Sequence, residues 1–282
     1  MTRTEKKRCI ALVIALIFIL CGCSGSSGKK DEWYRVKQIY VVDGRVRSTR
    51  SWDLDEQNRK SVEYLDGAWN AEWTYDEDGN IATYEYMEYS YKVRVEYTYE
   101  DGLLTKEVRR ADLSYGTKET EILYEYEDGR VVKETRNGRE AKKYVYNDDG
   151  SYDVMQPYAD IPEWYTLKYD ADGRILADNT GFEYTYTLSD DGDLLEKQTY
   201  LNGTLVEELI NVYNSDGELE TSTRKNVNGT WETVYEYEEG CIVYSRTMGI
   251  DGDAASAAYQ EIKEYYYSYV NDAGKTVGRD PE

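Results

Sequence analysis

From Trp33 to Val277 the chain alternates aromatic or apolar residues with charged and hydroxyl-bearing ones at a period of two. Runs such as Tyr97-Thr-Tyr-Glu and Tyr124-Glu-Tyr-Glu put successive rings on one face of a strand and the polar side chains on the other. Most of these runs end in an acidic residue followed by glycine, at Gly79, Gly102, Gly129, Gly150, Gly173, Gly192, Gly217 and Gly240, a mean step of 23 residues. Weaker copies end at Gly44, Asn58 and Gly274. The glycine supplies the positive φ of a hairpin turn. Two loop lengths are expected: a two-residue type I′ turn at Asp101-Gly102, and a type I turn with a bulge over Asp170-Ala-Asp-Gly173. A second series of turns, at Asn137-Gly138, Thr180-Gly181, Asn202-Gly203 and Asn228-Gly229, divides each repeat into two strands of about five to eight residues. The pattern predicts an all-β fold, an antiparallel meander of hairpin repeats over residues 33–278 with a short tail at 279–282. About twenty strands at ~4.8 Å would make a flat sheet about 95 Å wide, and open sheets rarely exceed ~10 strands without curling. A coiled, solenoid-like sheet is therefore expected. Residues 251–263 break the pattern and are Ala-rich, which predicts a short helix or long loop before a last strand at Tyr265–Tyr269.

The N-terminus follows a different pattern. Arg3, Lys6, Lys7 and Arg8 precede an almost wholly apolar stretch from Cys9 to Leu20, the layout of an export signal too short to span a bilayer. Leu20-Cys21-Gly22-Cys23 resembles the bacterial lipobox. That resemblance implies removal of residues 1–22 and a thioether-linked diacylglycerol on Cys23, anchoring the protein to the extracytoplasmic face of a membrane. Ser24–Lys30 reads as a flexible tether within residues 23–32.

The repeat itself resembles the YD repeat of the Rhs and teneurin type, Tyr-x-Tyr-Asp-x-x-Gly-Arg-Leu. The nearest copies are Tyr169-Asp-Ala-Asp-Gly-Arg-Ile175 and Tyr75-Asp-Glu-Asp-Gly-Asn-Ile81. Glu127, Asn147, Ser189 and Asn214 stand where that family has Asp, and most copies lack the Arg. The resemblance implies a β-sheet shell or a carbohydrate-binding surface. The toxin that often follows such repeats is not expected, since the sequence stops eight residues after Gly274.

Composition narrows the chemistry. The formal charge is −22, and the leader's four bases and one acid leave about −25 on the remainder. That sign argues against nucleic acid; glycans, cations or an envelope protein are easier partners. The absence of histidine removes the commonest general base and zinc ligand. Of four cysteines only Cys241 lies in the repeats, where it reads as a small packed residue, with no partner for a disulfide or metal site. The acidic turns lack the spacing of an EF-type calcium loop, and their Asp-Gly content is turn chemistry. Acids are too numerous for any one carboxylate pair to mark a glycosidase. No cofactor is expected, nor an enzyme. With 31 Tyr against two Phe, the packed face should be aromatic with its hydroxyls hydrogen-bonded or wet. Trp69, Trp164 and Trp231, outside the repeat slots, are the candidate ligand contacts. The expected function is a membrane-anchored, non-enzymatic binding module for a glycan or protein, or else a structural component of the envelope.

Overall fold

The computed structural model describes residues 32–158, 161–251 and 261–281; the lipobox Cys23 and most of the Ala-rich stretch lie outside them. All regular structure among the described residues is β. The strands are β1 (Trp33–Val42), β2 (Arg45–Leu54), β3 (Lys60–Leu65), β4 (Ala68–Tyr75), β5 (Ile81–Glu88), β6 (Tyr91–Glu100) and β7 (Leu103–Leu113). They continue as β8 (Gly116–Glu127), β9 (Arg130–Arg136), β10 (Arg139–Tyr146), β11 (Tyr152–Tyr158), β12 (Ile161–Tyr169), β13 (Ile175–Asp178) and β14 (Phe182–Leu188). The last are β15 (Leu194–Leu201), β16 (Thr204–Tyr213), β17 (Leu219–Asn226), β18 (Gly229–Glu238), β19 (Cys241–Asp251), β20 (Lys263–Asn271) and β21 (Thr276–Gly278). Several exceed the expected length because the two-residue turns consume so little chain. The fold divides into two compact units, one of Ala71–Glu183 and one of the described residues up to Asn70 and from Tyr184 on.

In the first unit consecutive strands pair antiparallel, as the repeat predicts. The second unit departs from the expectation of an open coil. There β20 pairs antiparallel with β1, from Trp33 opposite Asn271 to Val42 opposite Lys263, while β1 also pairs with β2. The meander thus returns onto its own start, so the expected solenoid-like sheet is corrected. The reason is edge chemistry: an open coil leaves a row of unpaired N–H and C=O groups on its first and last strands, and mutual pairing satisfies both. The other edge of β20 is shared, with β19 opposite Lys263–Tyr266 and β21 opposite Ser268–Val270. Gly278 makes that last pairing possible. A Cβ there would lie 2.6 Å from Ser268 Cα and 2.7 Å from the Tyr267 carbonyl oxygen. Beyond it, the Arg279 amide donates to the Tyr267 carbonyl and Lys37 pairs with Asp280 at 2.7 Å.

Both expected loop types form. Asp101 and Gly102 both take positive φ, the signature of a two-residue type I′ turn, and Asp128-Gly129 and Asn137-Gly138 do the same. In most of the four-residue loops the first residue caps the turn; after Asn147 it is Asp149 that accepts the Ser151 amide, at 2.9 Å. Asp170 Oδ1 accepts the amides of Asp172 and Arg174 at 3.0 and 2.9 Å, and Gly173 N donates to the Asp170 carbonyl. Asn214 Oδ1 accepts the amides of Asp216 and Glu218, both at 2.9 Å, and Ser189 Oγ accepts that of Asp193 at 3.0 Å. Those departures from Asp therefore keep a short-reach acceptor. Glu127 is different: it ends β8 opposite Arg130, beside a two-residue turn that needs no such cap. Asn58, with positive φ, takes the glycine slot of its loop.

Six of the main hairpins carry a bulge at one fixed place, while the Gly150 hairpin runs on in register from Tyr146 opposite Tyr152. The tyrosine before the turn lies opposite the second residue after the turn glycine, and the ladder then skips a residue: Tyr75–Ile81, Tyr99–Leu104, Tyr126–Val131, Tyr169–Ile175, Tyr213–Leu219 and Tyr237–Ile242. The tyrosine hydroxyl of the next repeat donates to the carbonyl of that second residue. Tyr126 reaches Leu104 at 2.7 Å, Tyr146 reaches Val131 at 3.0 Å, Tyr213 reaches Leu194 at 3.1 Å, Tyr237 reaches Leu219 at 3.0 Å and Tyr269 reaches Ile242 at 3.0 Å. This is why the packed face is tyrosine and not phenylalanine: the hydroxyl supplies a donor to a carbonyl at an irregularity of the ladder. Among the described residues the largest fully buried side chains are Tyr269, Val93 and Cys241. Val93, Val95 and Ala111 in the first unit are covered by Tyr84, Tyr86 and Tyr97, and in the second Cys241 packs with Tyr269 and Val277.

Candidate functional site

Trp164 lies in β12 of the first unit; Trp69 in β4 and Trp231 in β18 belong to the second. All three are half-buried, and no one unit holds them together. The Trp164 carbonyl accepts the Asn179 side-chain amide at 2.9 Å, and Trp231 stands opposite Arg224. The eight turn glycines all take positive φ, and Cys241 is fully buried.

The bulge concentrates charge on the packed face. After a bulge the inward positions are the second and fifth residues beyond the turn glycine, where simple alternation gives the second and fourth. The fifth is Glu107 after Gly102, Glu134 after Gly129, Asp178 after Gly173 and Glu63 after Asn58. Period-two reading missed these residues; counting from the turn would have found them. Glu134, 3 % exposed, is held by Lys142 Nζ at 2.8 Å, with the Arg136 guanidinium at 3.7 Å. Burial pushes the Glu107 carboxyl above its usual range, against a hydrogen bond from the Tyr124 hydroxyl at 3.4 Å. Burial likewise raises Tyr97, Tyr124 and Tyr144, reinforced by the negative charge of Glu107 or Glu134. In the second unit, Glu63 accepts Trp52 Nε1 at 2.7 Å and the Asn70 amide at 2.5 Å. Lys60 lies 4.3 Å from the Trp52 ring centroid, and burial, with Arg35 nearby, lowers its ammonium below the usual range. Arg35 stacks on Tyr267 and Tyr269 at 4.6 and 5.6 Å.

The first unit also carries an open cavity of about 350 Å³ between the β9–β10 hairpin and β11. Arg136, Arg139, Lys142, Glu134, Glu140 and Gln156 line it, with Ala141 and Pro157. Glu134 lies directly opposite Lys142, and Arg136 directly opposite Arg139, so all four side chains share one face of the sheet.

No family model matches this chain, and no curated protein matches it either. Solved structures that resemble it include a crystal structure of TcdB2-TccC3-TEV, at 10 % identity and a TM-score of 0.27, covering 86 % of this chain and 16 % of that one. Another is a porin-like protein from Bacteroides uniformis, at 7 % identity and a TM-score of 0.24, covering 84 % of this chain and 97 % of that one. This chain thus spans about a sixth of the length of the first.

Proposed function

We propose that this chain is an extracytoplasmic lipoprotein, anchored through acylated Cys23, whose β-repeat sheet is a non-enzymatic binding surface for a glycan. The observation that supports it is the incomplete burial of the aromatic layer: Trp69, Trp164, Trp231 and most Tyr-x-Tyr pairs are left half-exposed on the sheet. Aromatic faces beside hydrogen-bonding groups suit the alternating C–H and hydroxyl surface of a sugar ring. The neighbouring polar groups hold one another in defined positions, as with Glu63 between Trp52 and Asn70. A glycan array probed with the full-length protein in mild detergent tests this. Retention of a defined glycan, weakened by Trp164→Ala, is expected; no retained glycan, or retention indifferent to that change, would overturn it.

A second reading, an assembly component of the envelope, draws on the exposed apolar side chains of Ile210 and Val212 on β16. Photo-crosslinking from position 210 in intact cells should then yield a discrete heteromeric product, and recovery of monomer alone would sink that reading.

A further inference from the structure

Like charges face each other elsewhere in the sheet with an acid to hold them, Arg94 and Arg110 on Glu96 and Lys133, opposite Lys143, on Glu125, but at the β9–β10 hairpin Arg139 has no such acid among the described residues. Like charges directly opposite each other on paired strands are destabilising. Yet Arg136 and Arg139 flank a two-residue turn as an opposed pair. The comparable turns are flanked otherwise: Glu127 with Arg130, Glu100 with Leu103, Leu201 with Thr204 and Glu238 with Cys241. Buried Glu134 neutralises the pair only in part: Lys142 holds its Oε2 at 2.8 Å, and Arg136, 56 % exposed, pairs with its Oε1 at 3.7 Å. The Arg139 side chain is exposed and has no ion pair or hydrogen bond among the described residues. Two guanidiniums therefore face one cavity with donors to spare, on a chain whose net charge is −22.

We propose that this cavity binds the carboxylate of an acidic sugar, with Arg136 and Arg139 as the paired donors to its two oxygens. The guanidinium fork matches a planar carboxylate in bidentate fashion. Glu134 and Glu140 line the same cavity, and their repulsion grows with ligand charge, which favours a monoanion over a phosphate dianion. Glu140 and Gln156 supply an acceptor and a donor for ring hydroxyls. The volume of about 350 Å³ admits one sugar residue, with the chain continuing over the open side. The inference rests on the glycan-binding reading above and gives it a location and a charge specificity.

The test is calorimetric titration of the full-length protein in mild detergent with three probes: a uronic-acid oligosaccharide, a neutral oligosaccharide of equal length, and inorganic phosphate. The uronate is expected to bind best, and to bind more weakly as ionic strength rises. Arg139→Gln should weaken it about tenfold or more, the loss of a charge-assisted hydrogen-bond pair. Arg45→Gln, an exposed turn arginine of the second unit, should leave it unchanged. Because Arg139→Gln removes a like-charge opposition and breaks no hydrogen bond or ion pair among the described residues, a melting temperature that is unaltered or raised separates loss of binding from loss of structure. Equal affinity for the neutral sugar, an Arg139→Gln protein that binds uronate as well as the parent, or stronger binding of phosphate would each overturn the carboxylate site. If only the neutral sugar binds, the glycan reading stands and this inference fails; if no sugar binds, both fail.

Discussion

At the scale of single residues, four-residue turns are held by an aspartate-like cap at their start, except after Asn147, where Asp149 accepts the Ser151 amide instead. Asp76 illustrates it: Oδ1 accepts the amides of Asp78 and Asn80 at 3.0 and 2.8 Å, and Oδ2 accepts the Asn80 side-chain amide. The side-chain bond from Asn80, with the backbone donors, holds its carboxyl below the usual range despite some desolvation. Asp76→Ala should cost about 1 kcal/mol in urea unfolding, whereas Asp76→Asn should cost clearly less, because an amide oxygen accepts the same two backbone N–H groups. Equal losses from the two would refute the capping account. The turn glycines were legible in the sequence because positive φ leaves few alternatives to glycine. The buried acids were not, because Glu107 and Glu134 look like ordinary solvated members of an alternating strand until the bulge is known to move them inward.

Between hairpins, the tyrosine that reaches back to the preceding repeat is the principal device. Strand type, hairpin order and the hydroxyl-bearing packed face could all be read from Tyr-x-Tyr alternation and Asp-Gly spacing. The partner of each hydroxyl could not, since it is a backbone carbonyl on the adjacent strand, near a hairpin bulge that sequence alternation conceals. Tyr126→Phe removes the donor to the Leu104 carbonyl and leaves a part-buried acceptor unsatisfied. A loss of about 1–2 kcal/mol in chemical unfolding is expected. Tyr89→Phe, at a turn tip with its ring 94 % exposed, is the matched control and should change stability by less than about 0.5 kcal/mol. A Tyr126→Phe protein as stable as that control would show that the clasp adds nothing beyond packing of the ring.

Across the whole molecule the many buried phenols make stability depend on alkali. Burial, then neighbouring negative charge, pushes Tyr99 and Tyr152 up to about 12, with Tyr97, Tyr124 and Tyr144 also raised. An unfolded tyrosine ionises near ~10. Folding thus favours the neutral phenol, and the stabilisation is complete below about pH 10 and lost progressively as pH rises toward about 12. Tyrosinate absorbance should lag an unfolded reference through that window and then rise together with loss of β-sheet circular dichroism; titration that matches the reference from the outset would contradict it. What the sequence did not disclose at this scale was the fate of the ends, because no local pattern tells β1 that its second neighbour is β20. That pairing, with Tyr40 opposite Tyr265, has a consequence for the order in which the protein is made. β1 is synthesised before every other strand described, yet its closing partner comes from the far end of the repeats, at the slow, entropically costly extreme of contact order. Until β20 arrives, one edge of β1 is an open template for any passing strand. A chain exported in the way proposed therefore carries that edge unpaired until its last repeats have crossed the membrane.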